Sequence, residues 1–255
     1  MKELELYFKG NKKNQIHKWS NYFDIYERHL SGFRNKNIVF LEIGVSQGGG
    51  LQMWQHYFGD GAKIYGIDID PRCRGVEDKN IKVFIGSQAD SKFLREVIEK
   101  IAPIDIVIDD GSHNSSHQII SFKELFGALS EGGIYLCEDT FTSYWLKYGG
   151  GYKRRSTYIE YMKNIVDDLH AYHSRQKRFK VTEYTKSVSS VSFYNGIVVV
   201  KKGNQAPPRE LKSGDLMLLG KLGQYNSKTR KVRFIVLYTI NYILRALRLP
   251  PFIWK

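Results

Sequence analysis

Cysteines are scarce in this chain of 255 residues, which has only Cys73 and Cys137. They form neither a zinc-binding spacing nor the disulfide framework of small secreted proteins. Apolar runs of transmembrane length are also missing. The start of the sequence, MKELELYFKG, is too polar for a signal peptide. These absences predict a protein of a reducing compartment, and we expect it in the cytoplasm.

Acidic residues are scarce in the C-terminal half. The net charge is +13, from 39 Lys and Arg against 26 Asp and Glu. Residues 1–146 have 17 basic and 20 acidic side chains, residues 147–204 have 12 and 4, and residues 205–255 have 10 and 2. The basic excess favours an acidic partner, such as a phosphorylated substrate, an anionic membrane or nucleic acid. A solvated basic surface that aids solubility is the alternative.

Apolar runs alternate with amphipathic stretches from residue 37 to residue 201, which is typical of a parallel sheet covered by helices on both faces. The predicted strands are residues 37–41, 62–67, 81–85, 104–108 and 134–137. The predicted helices are residues 51–58, 91–101, 118–129 and 158–174. Two last strands, 188–194 and 196–201, form an antiparallel hairpin. The predicted fold class is α/β: a Rossmann-like, doubly wound, mostly parallel sheet with a C-terminal antiparallel hairpin.

Three regions are predicted along the chain. Residues 1–36 are a helical lead-in, with a helix over 12–31. Residues 37–203 form the α/β domain, and residues 204–255 are a basic, partly helical extension. Within that extension, the apolar stretch 232–249 is interrupted by arginines. It predicts an amphipathic helix that either lies on an anionic membrane or packs on a partner subunit or on its own core.

A glycine-rich loop, EIGVSQGGG, follows the first predicted strand. Glycines let the backbone approach a ligand and turn sharply into the next helix. We therefore predict cofactor contacts at Glu42, Gly44, Ser46 and Gly48. The loop departs from the pattern G-x-G-x-x-G because Ser46 stands in place of the second glycine, and a simple tight turn is the alternative.

Asp68 ends the second predicted strand. A carboxylate at this place can accept hydrogen bonds from both ribose hydroxyls of a nucleoside cofactor, whereas a helix N-cap is the structural alternative. Ser87, Gln88 and Asp90 follow the third strand, where an adenine could be held. These four residues extend the predicted cofactor site.

Acidic residues also stand where two further strands end. Asp109 and Asp110 end the fourth strand, and Glu138 and Asp139 follow the fifth. Ligands bind at the carboxyl ends of strands in open α/β sheets, so these acids should meet in one crevice with His113 beside them. Carboxylates with a neighbouring base predict a site for a hard divalent cation. Helix caps and turn hydrogen bonds are the structural alternative.

Taken in order, these motifs resemble class I S-adenosylmethionine-dependent methyltransferases. Within that class, the chain looks like the metal-dependent macrolide sugar O-methyltransferases of the mycinamicin type and their cephalosporin-hydroxylase-like relatives. The resemblance runs from about residue 18 to residue 201 and leaves the tail uncovered. It is carried by LEIGVSQGGG, YGIDID, IGSQAD, IVIDDGSH and EDTFTSYWLKYGGG.

The resemblance implies a cofactor, a metal and a reaction. S-adenosyl-L-methionine would donate the methyl group, and Asp110, Glu138 and Asp139 would ligate Mg²⁺ or another hard divalent cation. His113 would be the general base that takes a proton from a metal-bound hydroxyl. Asp109 is assigned to the cofactor or to a neighbouring helix. The implied activity is methyl transfer to a sugar hydroxyl of a saccharide or glycoside.

The stretch 141–155 is rich in glycine and aromatic residues. Tyr144 and Trp145 predict a lid with an aromatic face for a sugar ring, hinged at the glycines that follow. Arg154 would contact a phosphate on the acceptor. An ordinary packed loop is the alternative.

Other functions stay open at this stage. The same chemistry would serve a catechol or another small diol, and the basic half would suit a nucleic-acid-binding or membrane-surface protein. We expect a small-molecule or lipid-linked saccharide as partner, and a homo-oligomer. Nucleic acid is not expected, since no basic stripe with stacking aromatics stands out. For the tail, a peripheral contact with the inner face of the membrane is one expectation, and packing on a partner subunit or on the core is the other.

Overall fold

The computed structural model describes residues 3–176, 178–214, 227–247 and 249–253. They belong to two compact units, Met1–Pro208 and Arg209–Lys255. The first unit contains the whole sheet as well as the N-terminal region that the sequence set apart as a lead-in. The predicted domain boundaries after residues 36 and 203 stay predictions.

The first unit is built on a seven-stranded sheet with the order β3-β2-β1-β4-β5-β7-β6. Strands β1 to β5 run parallel, whereas β7 is antiparallel to both β5 and β6. The predicted fold class is confirmed. The strands are β1 Val39–Ile43, β2 Lys63–Asp68, β3 Ile81–Ile85, β4 Ile104–Asp109, β5 Leu129–Cys137, β6 Val188–Phe193 and β7 Val198–Lys202.

Helices cover both faces of the sheet. The sequence did not predict α1 and α7, and its helix over 12–31 is helical only from Tyr22. The helices of this unit are α1 Glu3–Gly10, α2 Tyr22–Leu30, α3 Gly49–Phe58, α4 Ser91–Ile101, α5 Ser115–Leu125, α6 Tyr158–Leu169 and α7 Glu183–Ser187.

Alternate residues of each strand point to opposite faces, so the sheet has a core on either side. On one face, Phe40 and Ile106 pack with α2 and α3 around the fully buried Trp54. On the other face, Leu41 and Val107 pack with α4, α5 and α6. The two cores hold the sheet rigidly, which fixes the positions of the residues at its carboxyl edge.

The sequence was wrong about the start of β5. Its glycines at 132 and 133 predicted the end of a helix, yet α5 ends at Leu125 and β5 begins at Leu129. Leu129 pairs with Ile104, and the next pair joins Ile134 to Ile106. Residues 130–133 therefore bulge out of register, and Gly132 supplies the positive φ of 79°.

The second unit contains α8, Ser227–Ala246. Residues 249–253 fold back on this helix, because the Phe252 amide donates to Asn241 Oδ1 at 2.6 Å. Many of its large apolar side chains are exposed, Ile235 and Ile243 among them. None of the helices in the described ranges has the length and apolar character needed to cross a membrane.

Candidate active site

The site lies where the strand order reverses, between β1 and β4, which is where open α/β sheets bind ligands. A cavity of about 740 Å³ opens there. This volume lies within the range of small-molecule and cofactor pockets, roughly 300–1,000 Å³. Ten predicted site residues line it: Glu42, Gly44, Ser46, Asp68, Ser87, Gln88, Asp110, His113, Glu138 and Asp139.

The glycine loop brings β1 against the end of β4. Gly44 has a φ of +96°, and a Cβ added to it would lie 2.2 Å from the carbonyl oxygen of Asp110. Only glycine allows this approach. Gly48, with a φ of +81°, is the N-cap of α3 and does not line the cavity. The loop therefore forms one wall, close enough to the acids for a single ligand to touch both.

Asp68 ties the loop to β2. Its Oδ2 accepts hydrogen bonds from the amides of Val45 at 2.9 Å and Ser46 at 3.0 Å. Its side chain is half-buried and lines the cavity. One carboxylate oxygen is thus used to shape the loop, and the predicted contact with a ribose stays a prediction.

Asp109 lies behind the cavity wall and not in it. It is fully buried, and it accepts hydrogen bonds from Tyr135 Oη and from Gln88 Nε2, each at 3.0 Å. Burial raises the pKa of this carboxyl. Gln88 in turn accepts from the Ser112 amide at 2.6 Å. Asp109 therefore orients Gln88, which faces the cavity. Asp109 thus lies inside the protein between β5 and the loop after β3, and its predicted contact with the cofactor stays a prediction.

Asp90 is also outside the cavity. Its side chain accepts hydrogen bonds from the amides of Lys92 and Phe93 and so caps the N-terminus of α4. This capping role accounts for an aspartate at residue 90 without any contact to a ligand, and the predicted cofactor contact stays a prediction. Ser87, three residues earlier, does line the cavity.

Lys18 lies among the acids, which nothing in the sequence suggested. Its Nζ is 2.5 Å from Asp110 Oδ2 and 3.0 Å from both carboxylate oxygens of Glu138. Glu42 Oε1 is 3.8 Å away. We call Glu42, Asp110 and Glu138 the inner acids. The side chains of Lys18, Glu42 and Glu138 are only 3%, 2% and 1% exposed, so the ammonium is enclosed.

Burial is the largest influence on the pKa values of Glu42 and Glu138. It raises the pKa of Glu42 to about 7, although Lys18 and the Trp54 indole, which donates at 3.0 Å, counteract it. It also raises the pKa of Glu138 to about 8, with a further increase from Asp110. Tyr26 Oη donates to Glu138 at 2.6 Å. Side chains of the protein therefore hold the inner acids in place through hydrogen bonds and ion pairs.

A second group lies nearer to solvent. Ligand atoms of Asp110, His113 and Asp139 all lie within 4.8 Å of one another, close enough to hold a metal ion. We call these three residues the outer group. His113 Nε2 is 3.7 Å from Asp139 Oδ2, and both side chains are 20–25% exposed. Tyr22 Oη donates to the other oxygen of Asp139 at 2.6 Å.

The donor set of the outer group suits a hard divalent cation, since it combines two carboxylates, access for water and a nearby imidazole. His113 and Asp139 have left-handed backbones with φ of 56° and 50°. Non-glycine residues in this region cost of order 1–3 kcal/mol and cluster at active sites. Glu138 is buried and is not part of the outer group. Its predicted role as a metal ligand stays a prediction.

Sequence reasoning missed Lys18, Tyr22 and Tyr26 as site residues. The two tyrosines lie four residues apart on one face of α2, a spacing that could have paired them. Lys18 precedes that helix and meets partners 92 and 120 residues away. No local pattern could have identified it.

The predicted lid is a series of short 3-10 turns. Aromatic rings contact one another in a row: Trp19 to Phe141 at 5.9 Å, Phe141 to Trp145 at 5.2 Å, and Trp145 to Tyr148 at 6.0 Å. Tyr148 is 6.3 Å from the ring of His113. This row starts at the cavity and ends beside the predicted base, so it suits an acceptor with an apolar or sugar face.

Thr142 anchors this segment, because its hydroxyl donates to the His113 carbonyl at 2.8 Å. Tyr144 and Trp145 are 47% and 52% exposed. Arg154 donates to the Gly150 carbonyl at 3.4 Å. The roles predicted for these three residues in binding the acceptor stay predictions.

We expect Glu42→Gln to change how stability depends on pH. A carboxyl whose pKa rises from 4.5 to about 7 on folding stabilises the protein fully below pH 4.5. That contribution is lost as the pH rises through 7. Because glutamine mimics the protonated form, the variant should gain about 2 kcal/mol on the wild type between pH 5 and pH 8. Thermal unfolding in chelator would measure this.

The exposed Glu96→Gln serves as a control for the loss of one charge. Its unfolding should follow the wild type at every pH. Parallel curves for Glu42→Gln and the wild type would contradict the expectation.

The fold and the cavity define the class to which this protein belongs, the Rossmann-like methyltransferases. The chain is a member of the FtsJ-like methyltransferase family, which matches residues 22–202.

Its relatives are named as sugar O-methyltransferases. The chain is 37% identical over 203 residues to the 8-demethyl-8-alpha-L-rhamnosyl tetracenomycin-C 2'-O-methyltransferase of Streptomyces olivaceus, covering 76% of this chain and 52% of the relative. It is 34% identical to the demethylmacrocin O-methyltransferase of Streptomyces fradiae, covering 70% and 47%. The chain therefore spans about half the length of the curated relatives it matches.

A solved structure agrees with these relatives. The MycE methyltransferase of the mycinamycin biosynthetic pathway, in complex with Mg and SAH, aligns with a TM-score of 0.70 at 30% identity. The alignment covers 79% of this chain and 54% of MycE. MycE has also been solved with Mg, SAH and mycinamycin VI.

Proposed function

We propose that this protein is a Mg²⁺-dependent O-methyltransferase that transfers the methyl group of S-adenosylmethionine to a sugar hydroxyl of a saccharide or glycoside. One observation carries the proposal: the outer group lies at the mouth of a cavity whose other wall is the glycine loop. The names of the relatives and the Mg and SAH of MycE support it.

The residues of the cavity fit both S-adenosylmethionine and a divalent cation. Gly44 and Asp68 shape a loop whose backbone a large ligand can approach, and a side chain at residue 44 would push this loop away from the Asp110 carbonyl. Asp110 and Asp139 offer carboxylate oxygens at the other wall. When bound, S-adenosylmethionine would supply an electrophilic methyl group, and the cation would acidify an acceptor hydroxyl.

His113 is the base in this proposal. Its Nε2 faces the carboxylate of Asp139, so a proton taken from the acceptor at Nε2 would be stabilised by that neighbouring charge. Tyr22 holds the other oxygen of Asp139, which keeps this carboxylate oriented. Thr142 fixes the His113 backbone. These contacts position His113 without a hydrogen bond to its imidazole ring.

The aromatic row would bind the acceptor. Trp19 lines the cavity and is 51% exposed, and Trp145 lies two rings further along the row. A sugar lying on these rings would place its hydroxyls toward His113. A catechol or another small diol is the second candidate, because two carboxylates can serve any vicinal pair of oxygens. The named relatives favour the sugar.

The acceptor could also be lipid-linked, and we propose that the protein works on the cytoplasmic side of the membrane. Both cysteines are free and buried, which suits a reducing compartment. α8 has five basic residues and no acidic residue in its sequence, and it exposes apolar side chains. This combination suits a peripheral contact with anionic lipid. Assembly into a homo-oligomer stays a prediction.

Acceptor profiling tests the function. The full chain is given labelled S-adenosylmethionine and a panel of glycosides, catechols and a saccharide carried on a lipid in anionic vesicles, with Mg²⁺ or with excess chelator. We expect label on a sugar hydroxyl only with Mg²⁺. Full transfer in chelator would refute the metal role, and label on catechols alone would favour the second candidate.

The same assay tests the membrane contact. Ile235→Glu with Ile243→Glu should remove any advantage of the vesicle-borne saccharide and leave the soluble glycosides unaffected. Leu6→Glu with Val181→Glu adds the same charge at exposed apolar positions of the first unit and serves as the control. Equal use of the vesicle-borne acceptor by all three proteins would exclude the contact through α8.

A further inference from the structure

Lys18 sits inside the acidic site and not on its rim. The ammonium contacts two of the inner acids directly, Asp110 and Glu138, and lies 3.8 Å from the third, Glu42. Asp110 belongs to the outer group as well, so this residue joins the two. The protein thus places a fixed positive charge one carboxylate away from the proposed metal position.

The backbone before Lys18 is fixed to the glycine loop. Asn14 Nδ2 donates to the carbonyl of Gln47 at 2.8 Å. A Cβ on Gly49 would lie 2.3 Å from the Gln15 carbonyl oxygen, so the two segments are in close contact. Lys18 therefore reaches its acids from an anchored position, and its ammonium is placed by the fold and not by chance.

The inner acids need a cation, because the side chains of Glu42 and Glu138 are buried and that of Asp110 is only 20% exposed. Desolvated charges of one sign are strongly unfavourable unless they are paired. Burial lowers the pKa of Lys18, but Asp110, Glu138 and Glu42 together raise it well above its ordinary value. Glu42 Oε2 is still buried without a hydrogen-bond partner among the described residues. Without Lys18, the inner acids would form an empty oxygen-lined pocket next to the outer group.

Such a pocket matches the demands of a divalent cation. Carboxylate oxygens are the ligands that Mg²⁺ and Mn²⁺ prefer. Two-metal sites place their ions roughly 3.5–4 Å apart and often share a carboxylate between them. Asp110 is in the place of such a shared ligand, because it belongs to both groups.

We propose that Lys18 is the built-in second cation of this site: its ammonium takes the place that a second divalent ion would occupy and limits the protein to one ion, at the outer group. Lys18 is in this sense a positioning residue that holds Asp110 and Glu138 together. The inference rests on the proposed metal dependence, since it concerns how many ions the site accepts.

Counting bound Mn²⁺ tests the proposal. The full chain is stripped of metal, and its stoichiometry is measured by calorimetric titration with Mn²⁺ and by the loss of the free-ion signal in electron paramagnetic resonance. We expect one ion for the wild type and for Lys18→Arg, which keeps the charge. We expect two ions for Lys18→Met. The exposed Lys36→Met removes the same charge elsewhere and should bind one ion.

Each result decides something. One ion in Lys18→Met, at any affinity, would overturn the proposal, and so would two ions in the wild type. A wild type that binds no Mn²⁺ would refute the proposed metal dependence, which is a different failure.

Lys18→Met could also fail to fold without metal. Its unfolding free energy should then rise with free Mn²⁺ at the slope of two bound ions, because ions that bind only the folded state stabilise it by mass action. A slope of one ion would count against the proposal.

Discussion

Asp110→Asn should lower methyl transfer by about 10³-fold and abolish its dependence on Mg²⁺. A metal at a developing alkoxide contributes several kcal/mol, and about 4 kcal/mol corresponds to three orders of magnitude in rate. Asp110 is the residue that the outer group shares with the inner acids, so its loss removes a proposed metal ligand and also a partner of Lys18. The amide keeps the size of the side chain but not the charge.

Two measurements check this. Methyl transfer is followed at increasing Mg²⁺, and Mn²⁺ binding is followed by calorimetry, on protein whose folding is verified by circular dichroism. Asp60→Asn makes the same change at an exposed position and should retain full activity. An Asp110→Asn variant that keeps metal-dependent turnover within tenfold of the wild type would exclude Asp110 as a ligand.

His113→Asn should lower kcat by about 10²- to 10⁴-fold, which is the usual contribution of a general base. Asparagine is the appropriate replacement because it tolerates the left-handed backbone that His113 adopts, with a φ of 56°. The bond from Thr142 to the His113 carbonyl should survive. Binding of S-adenosylhomocysteine should change little, since the glycine loop is untouched.

His117→Asn is the matched control, because this second histidine also lines the cavity, where its Nδ1 lies 2.9 Å from Ser112 Oγ. We expect it to lose less than tenfold in kcat. Equal losses in the two variants would remove the case for His113 as the base.

The sheet could be predicted because its signals are local. Apolar runs ending in acids or glycines marked β1 to β4 to within about two residues at either end, and the hairpin of β6 and β7 was found by alternation and a turn. The parallel arrangement then placed Asp68, Asp110, Glu138 and Asp139 at one edge. All four line the same cavity.

Side-chain direction was harder to predict. Asp109 and Asp110 are neighbours in sequence, yet the pleat sends Asp109 into the core toward Tyr135 and leaves Asp110 at the cavity. The glycines of β5 predicted a helix end, but they form a bulge whose register is set by pairing with β4. Both outcomes depend on which neighbours the sheet supplies.

By itself, the sequence determined the class of fold, the glycine loop and the acids at the carboxyl edge, because strand pattern and turn chemistry act over a few residues. Only the tertiary structure decided that the acids divide into an inner set around Lys18 and an outer set beside His113. The physical reason is burial: the carboxylates of the inner set surround a lysine ammonium where water is excluded, whereas those of the outer set leave room for an ion where water enters. That difference arises only once α2 and the segment before it pack across the ends of β1, β4 and β5.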